Sequence, residues 1–208
     1  VGSEMCIRDS TGTISDAFLE LYKAGKLTNA HKELDTGLSA WNLAMGSQEL
    51  YDWLDAEPQL FHPGDLDYIH SVERISKFSN VISINGGVQL DLMGQENAES
   101  TGTRQLSGVG GQMDFLEGAY RSKGGKGFIC INSSRVTKDG ERKSNILATI
   151  PGGSTISAPR TMIQYVATEY GIASLSGKTL RERAEAMASI AHPDFREELM
   201  KYARENFK

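Results

Sequence analysis

Cysteine is nearly missing: the 208 residues hold two, Cys6 and Cys130. Two distant thiols build no disulfide framework. Cys130, inside Phe128-Ile-Cys-Ile131, reads as a buried small residue of a strand, in an apolar setting that disfavours its thiolate. Histidine is sparse too. His31, His62, His70 and His192 form no pair at the three- or four-residue spacing of ligands on a helix, so no metal site is expected. Excess positive charge is lacking. The net charge is −5, from 22 Lys and Arg against 27 Asp and Glu, and without a basic stripe nucleic acid is not an expected partner. Nothing approaches the roughly 18 apolar residues of a membrane span, and no charged-then-apolar leader opens the chain. These absences predict a cytoplasmic protein with no membrane partner. Internal repeats and low-complexity tracts are also absent. Gly124-Gly-Lys-Gly127 lacks the Gly-x-x-x-x-Gly-Lys-Ser/Thr pattern and reads as a tight turn between strands.

What is present suits a folded domain with a sizeable core: 39% of residues are hydrophobic and 24% charged. Residues 14–24 place Ile14, Phe18, Leu21 and Tyr22 on one helical face, with Gly25 suited to end that helix in a left-handed conformation. Ser47 reads as the cap of a short helix over 48–55. Strands are predicted near 81–93, 127–133 and 145–150, and helices near 160–169, 178–190 and 194–206, with Pro193 separating the last two. Strands interspersed with helices predict an α/β layered domain.

The most informative stretch runs from Ser83-Ile-Asn-Gly-Gly-Val-Gln-Leu-Asp-Leu-Met-Gly-Gln-Glu-Asn-Ala-Glu-Ser100 to Gly108-Val-Gly-Gly-Gln-Met-Asp-Phe115. Read with period two, Ile82, Ile84, Val88, Leu90 and Leu92 share one strand face. Ser83, Asn85, Gln89 and Asp91 share the other, a polar face expected to line a cleft or meet solvent.

These residues resemble the acetyl-CoA hydrolase/transferase family of coenzyme A transferases. The resemblance extends through Ile14-Ser-Asp16, Met45-Gly-Ser47, Leu50-Tyr-Asp-Trp-Leu-Asp55, Thr168-Glu-Tyr-Gly-Ile-Ala-Ser-Leu-Ser-Gly177 and Ala191-His-Pro-Asp-Phe-Arg196. Residues 1–9 instead look like a translated sequencing-library adaptor and are set aside. Residues 10–208 are expected to form the carboxy-terminal, catalytic domain of the fold, an open layered sheet flanked by helices, with the tail of a preceding domain at about 10–60. The resemblance implies a missing amino-terminal domain of the same chain, a homodimer, acyl-CoA and a small carboxylic acid as substrates, and no permanently bound cofactor.

The family's strand pattern Ile-Asn-x-x-Ile-Glu-Val-Asp-Leu carries a glutamate that becomes a glutamyl-CoA thioester. Its position here is Gln89. An amide is a poor nucleophile where a carboxylate can form anhydride and thioester intermediates. A one-base codon change and a genuine glutamine sub-branch both account for Gln89, and Asp91 is the nearest replacement carboxylate. Three activities stay open: CoA transfer, acyl-CoA hydrolysis, and CoA binding without turnover. By the same resemblance Gly108, Gly110 and Gly111 line the thioester pocket, and Gly171 offers a backbone N–H near the reacting carbonyl. Close strand packing for the loop and a helix cap for Gly171 are the structural alternatives. Glu169 is a further nearby carboxylate. Arg181, Arg183 and Arg196 read as a solvated helix face, with the CoA phosphates as their alternative partner.

Overall fold

The computed structural model describes residues 10–207, so the adaptor-like segment 1–9 and Cys6 lie outside the described residues. The described chain divides into two compact units, residues 10–81 with Arg121–Gly124, and Ile82–Tyr120 with 125–207.

The first unit is built on three parallel strands in the order β1-β2-β3, with β1 Ser10–Ile14, β2 Ser39–Ala44 and β3 Phe61–Pro63. Helix α1 (Asp16–Lys23) crosses from β1 to β2, and α2 (Gln48–Ala56) from β2 towards β3. Ile14, assigned by periodicity to the helical face, belongs instead to β1 and is fully buried beside Leu19. Gly25 ends α1 as expected: its φ is +67° and its N–H donates to the Tyr22 carbonyl at 2.8 Å. Ser47 caps α2, its hydroxyl accepting the Leu50 N–H at 3.3 Å. Ile14, Leu19, Leu50, Trp53 and Phe61 form the core of this unit. Two short helices, α3 (Leu66–Ile69) and α4 (Val72–Lys77), follow.

The second unit opens with β4 (Ile82–Gly86), then β5 (Gln89–Asp91), β6 (Glu96–Asn97), β7 (Ser100–Thr101), β8 (Arg104–Gln105) and α5 (Gln112–Arg121). There follow β9 (Lys126–Cys130), β10 (Ser134–Val136), β11 (Arg142–Ser144), β12 (Ile146–Leu147), β13 (Tyr165–Thr168), β14 (Gly171–Ser174), α6 (Leu180–Ser189) and α7 (Pro193–Asn206). The main sheet has the order β14-β13-β9-β4; β4, β9 and β13 run parallel and β14 closes antiparallel to β13. A second sheet, β12-β5-β6, sets β5 parallel to β12 and antiparallel to β6. The α/β architecture is therefore present.

Helices α5, α6 and α7 send Leu116, Ala184, Met187 and Leu199 into one core with Ile129, Val166 and Ala173 of the main sheet. Each large apolar side chain buried there contributes about 1.5–3 kcal/mol. The helix starts are set locally. Thr179 and Glu182 form a reciprocal capping box on α6, and His192 Nδ1 accepts the Asp194 N–H at 3.3 Å ahead of Pro193.

Several expectations require correction. The strand predicted over 81–93 breaks at Gly87-Val88, and its halves enter different sheets. Burial differs between the halves: in β4 Ser83 is buried while Ile82 and Ile84 are 53% and 68% exposed, and from β5 to Leu92 both faces are buried, Leu90 and Leu92 as well as Gln89 and Asp91. Alternation alone therefore named the wrong side for β4 and did not show that β5 is buried on both. Residues 160–169 form a turn and then β13, because Val166 and its neighbours pair with β9 and β14. The turn at Gly124 joins α5 to β9 rather than two strands. Cys130 is in a strand as expected but is exposed.

Candidate functional site

The parallel strands β4, β9 and β13 end in one row, with Gly86 beside Cys130 and Cys130 beside Ala167. In open α/β sheets the ligand side is the region beyond the carboxyl ends of the strands. Here the chain leaving those ends runs into Gly87 to Gln89, Asn132-Ser133 and Glu169 to Gly171. Asn145 joins the second of these segments to β5. Its backbone N–H donates to the Ser133 carbonyl at 2.8 Å, and its own carbonyl accepts the Leu90 N–H at 3.0 Å.

Gln89 is buried on β5. Its side-chain carbonyl accepts the Asn97 Nδ2 N–H at 3.4 Å across the β5–β6 ladder. Asn97 is itself fixed, donating to the Ser100 carbonyl at 2.8 Å and accepting from the Ser100 N–H at 2.9 Å. The group nearest the Gln89 carbonyl is thus an N–H donor, which suits an amide oxygen and a carboxylate oxygen alike.

Asp91 is fully buried and faces its own turn. Its two oxygens accept the Gln95 backbone N–H at 2.9 Å and the Gln95 side-chain N–H at 2.7 Å. Gly94 in this turn has φ +83°, a conformation that excludes most side chains. Above it lies Arg183, whose guanidinium donates to the carbonyls of Met93 at 2.9 Å, Leu175 at 2.8 Å and Arg160 at 2.8 Å. Arg183 is buried, so it is not part of a solvated helix face. Arg181 pairs with Glu185 at the surface, and Arg196 donates to the Ala191 carbonyl while lying over the Tyr170 ring.

No motif in the chain announces Glu96. It pairs with Leu90 across the ladder and its side chain is fully buried. Oε2 accepts a hydrogen bond from the Gln112 side chain at the start of α5, and Oε1 has no hydrogen-bond partner. Burial pushes the carboxyl up from its ordinary 4.5 to about 8, against the lowering effect of Gln112. At pH 7 this side chain is mostly the neutral acid. A carboxylate flanked by Gln95 and Asn97 reads as turn chemistry, and only the β5–β6 pairing reveals its burial.

The Gly108 to Gly111 loop precedes α5 directly. Gly108 and Gly110 are exposed, and a Cβ at either would meet nothing within 4 Å, so close strand packing does not explain them. Gly110 has φ +61°, where glycine is favoured. Gly171 opens β14 in the β13–β14 hairpin with φ +142° and is not a helix cap. Beside it, Glu169 accepts from the Ser133 hydroxyl at 2.6 Å and the Ser133 N–H at 2.9 Å. Burial raises the Glu169 carboxyl, but the Ser133 hydrogen bonds outweigh it and the net shift is downward. The fold thus places Gln89, Glu169 and Gly171 beyond the same sheet edge, and Glu96 and Gln112 link the β5–β6 ladder to the helix that the glycine loop feeds.

Among the described residues no group of three or more His, Cys, Asp or Glu side chains could hold a metal ion. No helix there is long and apolar enough to cross a membrane.

Residues 46–203 match the model of the acetyl-CoA hydrolase/transferase C-terminal domain. The chain is 44% identical over 188 residues to a butyryl-CoA:acetate CoA-transferase of Anaerostipes caccae, covering 90% of this chain and 42% of that protein. It is also 44% identical over 194 residues to a 4-hydroxybutyrate coenzyme A transferase of Clostridium kluyveri, covering 93% of this chain and 44% of that protein. The crystal structure of RipA from Yersinia pestis superposes with a TM-score of 0.85 at 36% identity, covering 97% of this chain and 45% of that one. The chain therefore spans less than half the length of these relatives.

Proposed function

Because the chain belongs to the acetyl-CoA hydrolase/transferase family, we propose that it carries the acyl-CoA site of a CoA-transferase, centred on position 89 at the carboxyl edge of its main sheet. The substrates are an acyl-CoA and a small carboxylic acid, and no permanently bound cofactor takes part. Gly110, with its open loop and positive φ, supports the Gly108–Gly111 segment as the backbone that approaches the thioester. Gly171 offers an N–H at the same edge, where a donor to developing negative charge contributes roughly 2.7–4 kcal/mol. The remaining parts are supplied by sequence corresponding to the rest of the longer relatives, and the protein works in the cytoplasm as a homodimer.

With a glutamate at position 89 the exchange balances in four moves. The carboxylate attacks the thioester carbonyl, the C–S bond breaks, and a mixed anhydride forms as CoA thiolate leaves. The thiolate attacks the glutamyl carbonyl and frees the first acid, leaving the enzyme thioester. An acceptor carboxylate then attacks that thioester, giving a second anhydride and thiolate. Attack of the thiolate on the acceptor carbonyl restores the glutamate. Gln89 has no anionic oxygen with which to start, so one observation favours a second reading: as it stands, the chain binds acyl-CoA without forming the covalent intermediate.

The observation that carries the transferase reading is the family match over residues 46–203, and the burial of position 89 beyond the parallel strand ends supports it. The test is borohydride trapping with acetyl-CoA on the Gln89 protein and on Gln89→Glu, read by peptide mass. The expected result is a reduced adduct at residue 89 in Gln89→Glu alone. Adducts in both proteins at Glu169 or Asp91 would relocate the nucleophile. Acetyl-CoA binding with no adduct in either would leave a binding module.

A further inference from the structure

A buried carboxyl is costly unless it is fully hydrogen-bonded, and Glu96 is served on one side only. Oε2 has Gln112. Oε1 has no partner and lies where a Cβ on residue 87 would come within 2.7 Å of it. A Cβ there would require this carboxyl to shift from its place under the link between β4 and β5. Three segments therefore meet at one side chain: the Gly87-Val88 link that leads into Gln89, strand β6, and the first residue of α5. The backbone of Glu96 is held on its other side by Ala158, whose carbonyl accepts its N–H at 3.0 Å.

We propose that Glu96 is a positioning residue: its buried carboxyl ties the start of α5, and with it the Gly108–Gly111 loop, to the β5–β6 ladder that carries Gln89. A ligand touching both the loop and position 89 would find their relative placement fixed by this one side chain. For the identity of that ligand the role rests on the acyl-CoA reading; the tie itself does not.

The chemistry of the tie depends on the proton. As the neutral acid, Glu96 can sit against the apolar Ile129 side chain, which also lines the space at Gly87. As the anion it would carry an unpaired charge there. The ionisable side chains on the strands and helix around it are Asp91, Lys126, Cys130, Asp114, Glu117, Tyr120 and Arg121. None of them contributes to the shift, which is set by burial, raising the carboxyl, against the Gln112 hydrogen bond, lowering it. Ionisation would strengthen the Gln112 hydrogen bond but leave Oε1 as an unpaired charge against Ile129, so the loop should keep its placement at neutral pH and shift as that carboxylate moves to find solvent.

The test uses ¹⁵N-labelled full chain and follows glycine amide resonances from pH 6 to 9.5, in the unaltered protein, Glu96→Gln and Glu96→Leu. Gly87, Gly110 and Gly111 are expected to titrate together in the unaltered protein with a midpoint near 8, and to stay fixed in Glu96→Gln. In Glu96→Leu the Phe115 amide, which donates to the Gly111 carbonyl at 3.2 Å, should lose about fivefold in exchange protection, the worth of one hydrogen bond. Titration of Gly87 alone, or Glu96→Leu loop resonances identical to the unaltered protein, would overturn the proposal. Should Glu96→Leu fail to fold, the Glu96→Gln comparison decides. Acetyl-CoA is added last. A concerted titration with no response of Gly110 or Gly111 to acetyl-CoA would sink the acyl-CoA reading and leave the tie standing.

Discussion

Replacing Glu96 by glutamine should remove the pH dependence that this residue imposes on the stability of the second unit. Its folded carboxyl holds a proton more tightly than the unfolded one, so the unfolded state loses that proton first as pH rises. Stability from Glu96 is thus fully present below 4.5 and lost progressively up to about 8. At about 1.4 kcal/mol per pH unit the loss is about 3 kcal/mol at pH 7 and about 5 kcal/mol once both states are ionised. Glu96→Gln cannot ionise. Its buried amide adds an offset, but one independent of pH, so the slope is the informative quantity. Both tryptophans, Trp41 and Trp53, lie in the first unit, and their fluorescence would report the wrong transition. Hydrogen exchange of peptides spanning residues 82–98, followed through urea series at pH 5, 6, 7 and 8, reads the second unit directly. Parallel stability curves for the two proteins would refute the reasoning, because they would mean that Glu96 is equally protonated in folded and unfolded chains.

Arg183→Met removes the donors to three backbone carbonyls and should destabilise the second unit by about 3 kcal/mol, with Arg183→Lys recovering only part of that; urea unfolding of both variants checks it. Gly110→Ala, with φ +61° but open space around it, should cost only about 1 kcal/mol of stability while weakening acetyl-CoA binding measured by calorimetry. Ser133→Ala should flatten the acid limb of the stability curve. The lowered Glu169 carboxyl contributes stability that is present above 4.5 and lost as pH falls through its folded value, and acid titration followed by circular dichroism would show the difference.

Where sequence signals were short-range, they located structure well. Ser47 ahead of α2, Gly25 behind α1 and Pro193 between α6 and α7 all depend on contacts within a few residues, and all are found. Alternation along 81–93 was real, but β4 buries only its Ser83 side and β5 buries both, because the two halves enter different sheets. Met162, Ile163, Val166 and Ala167 have helical spacing, yet pairing with β9 and β14 makes Tyr165–Thr168 a strand. The same limit applies at the site. Gln89 and the glycine loop stand out by motif. Glu96, Arg183 and Ser133 acquire their partners only when strands and helices 16 to 90 positions apart come together.

The proton on Glu96 and the amide at Gln89 belong to one electrostatic arrangement. Gln89 and Asn97 are opposite each other on the ladder, and Glu96 is opposite Leu90, so positions 89 and 96 are close but project from alternate faces. With Gln89 neutral and Glu96 in its acid form, these two positions carry no net charge at pH 7. A glutamate at 89 introduces one. In a protein interior of effective dielectric about 20, two carboxylates on adjoining ladder positions repel by on the order of 1–2 kcal/mol. An ionised carboxylate at position 89 would therefore hold the proton on Glu96 more firmly, moving the midpoint of the Gly87 titration upward by about one pH unit or more. Gln89→Glu is predicted to show that upward displacement, and Gln89→Glu combined with Glu96→Gln to show no titration of Gly87 at all. An unmoved midpoint, with the introduced carboxylate independently shown to be ionised, would mean that the two positions are insulated from each other and that the residue at 89 is chosen without regard to its buried neighbour.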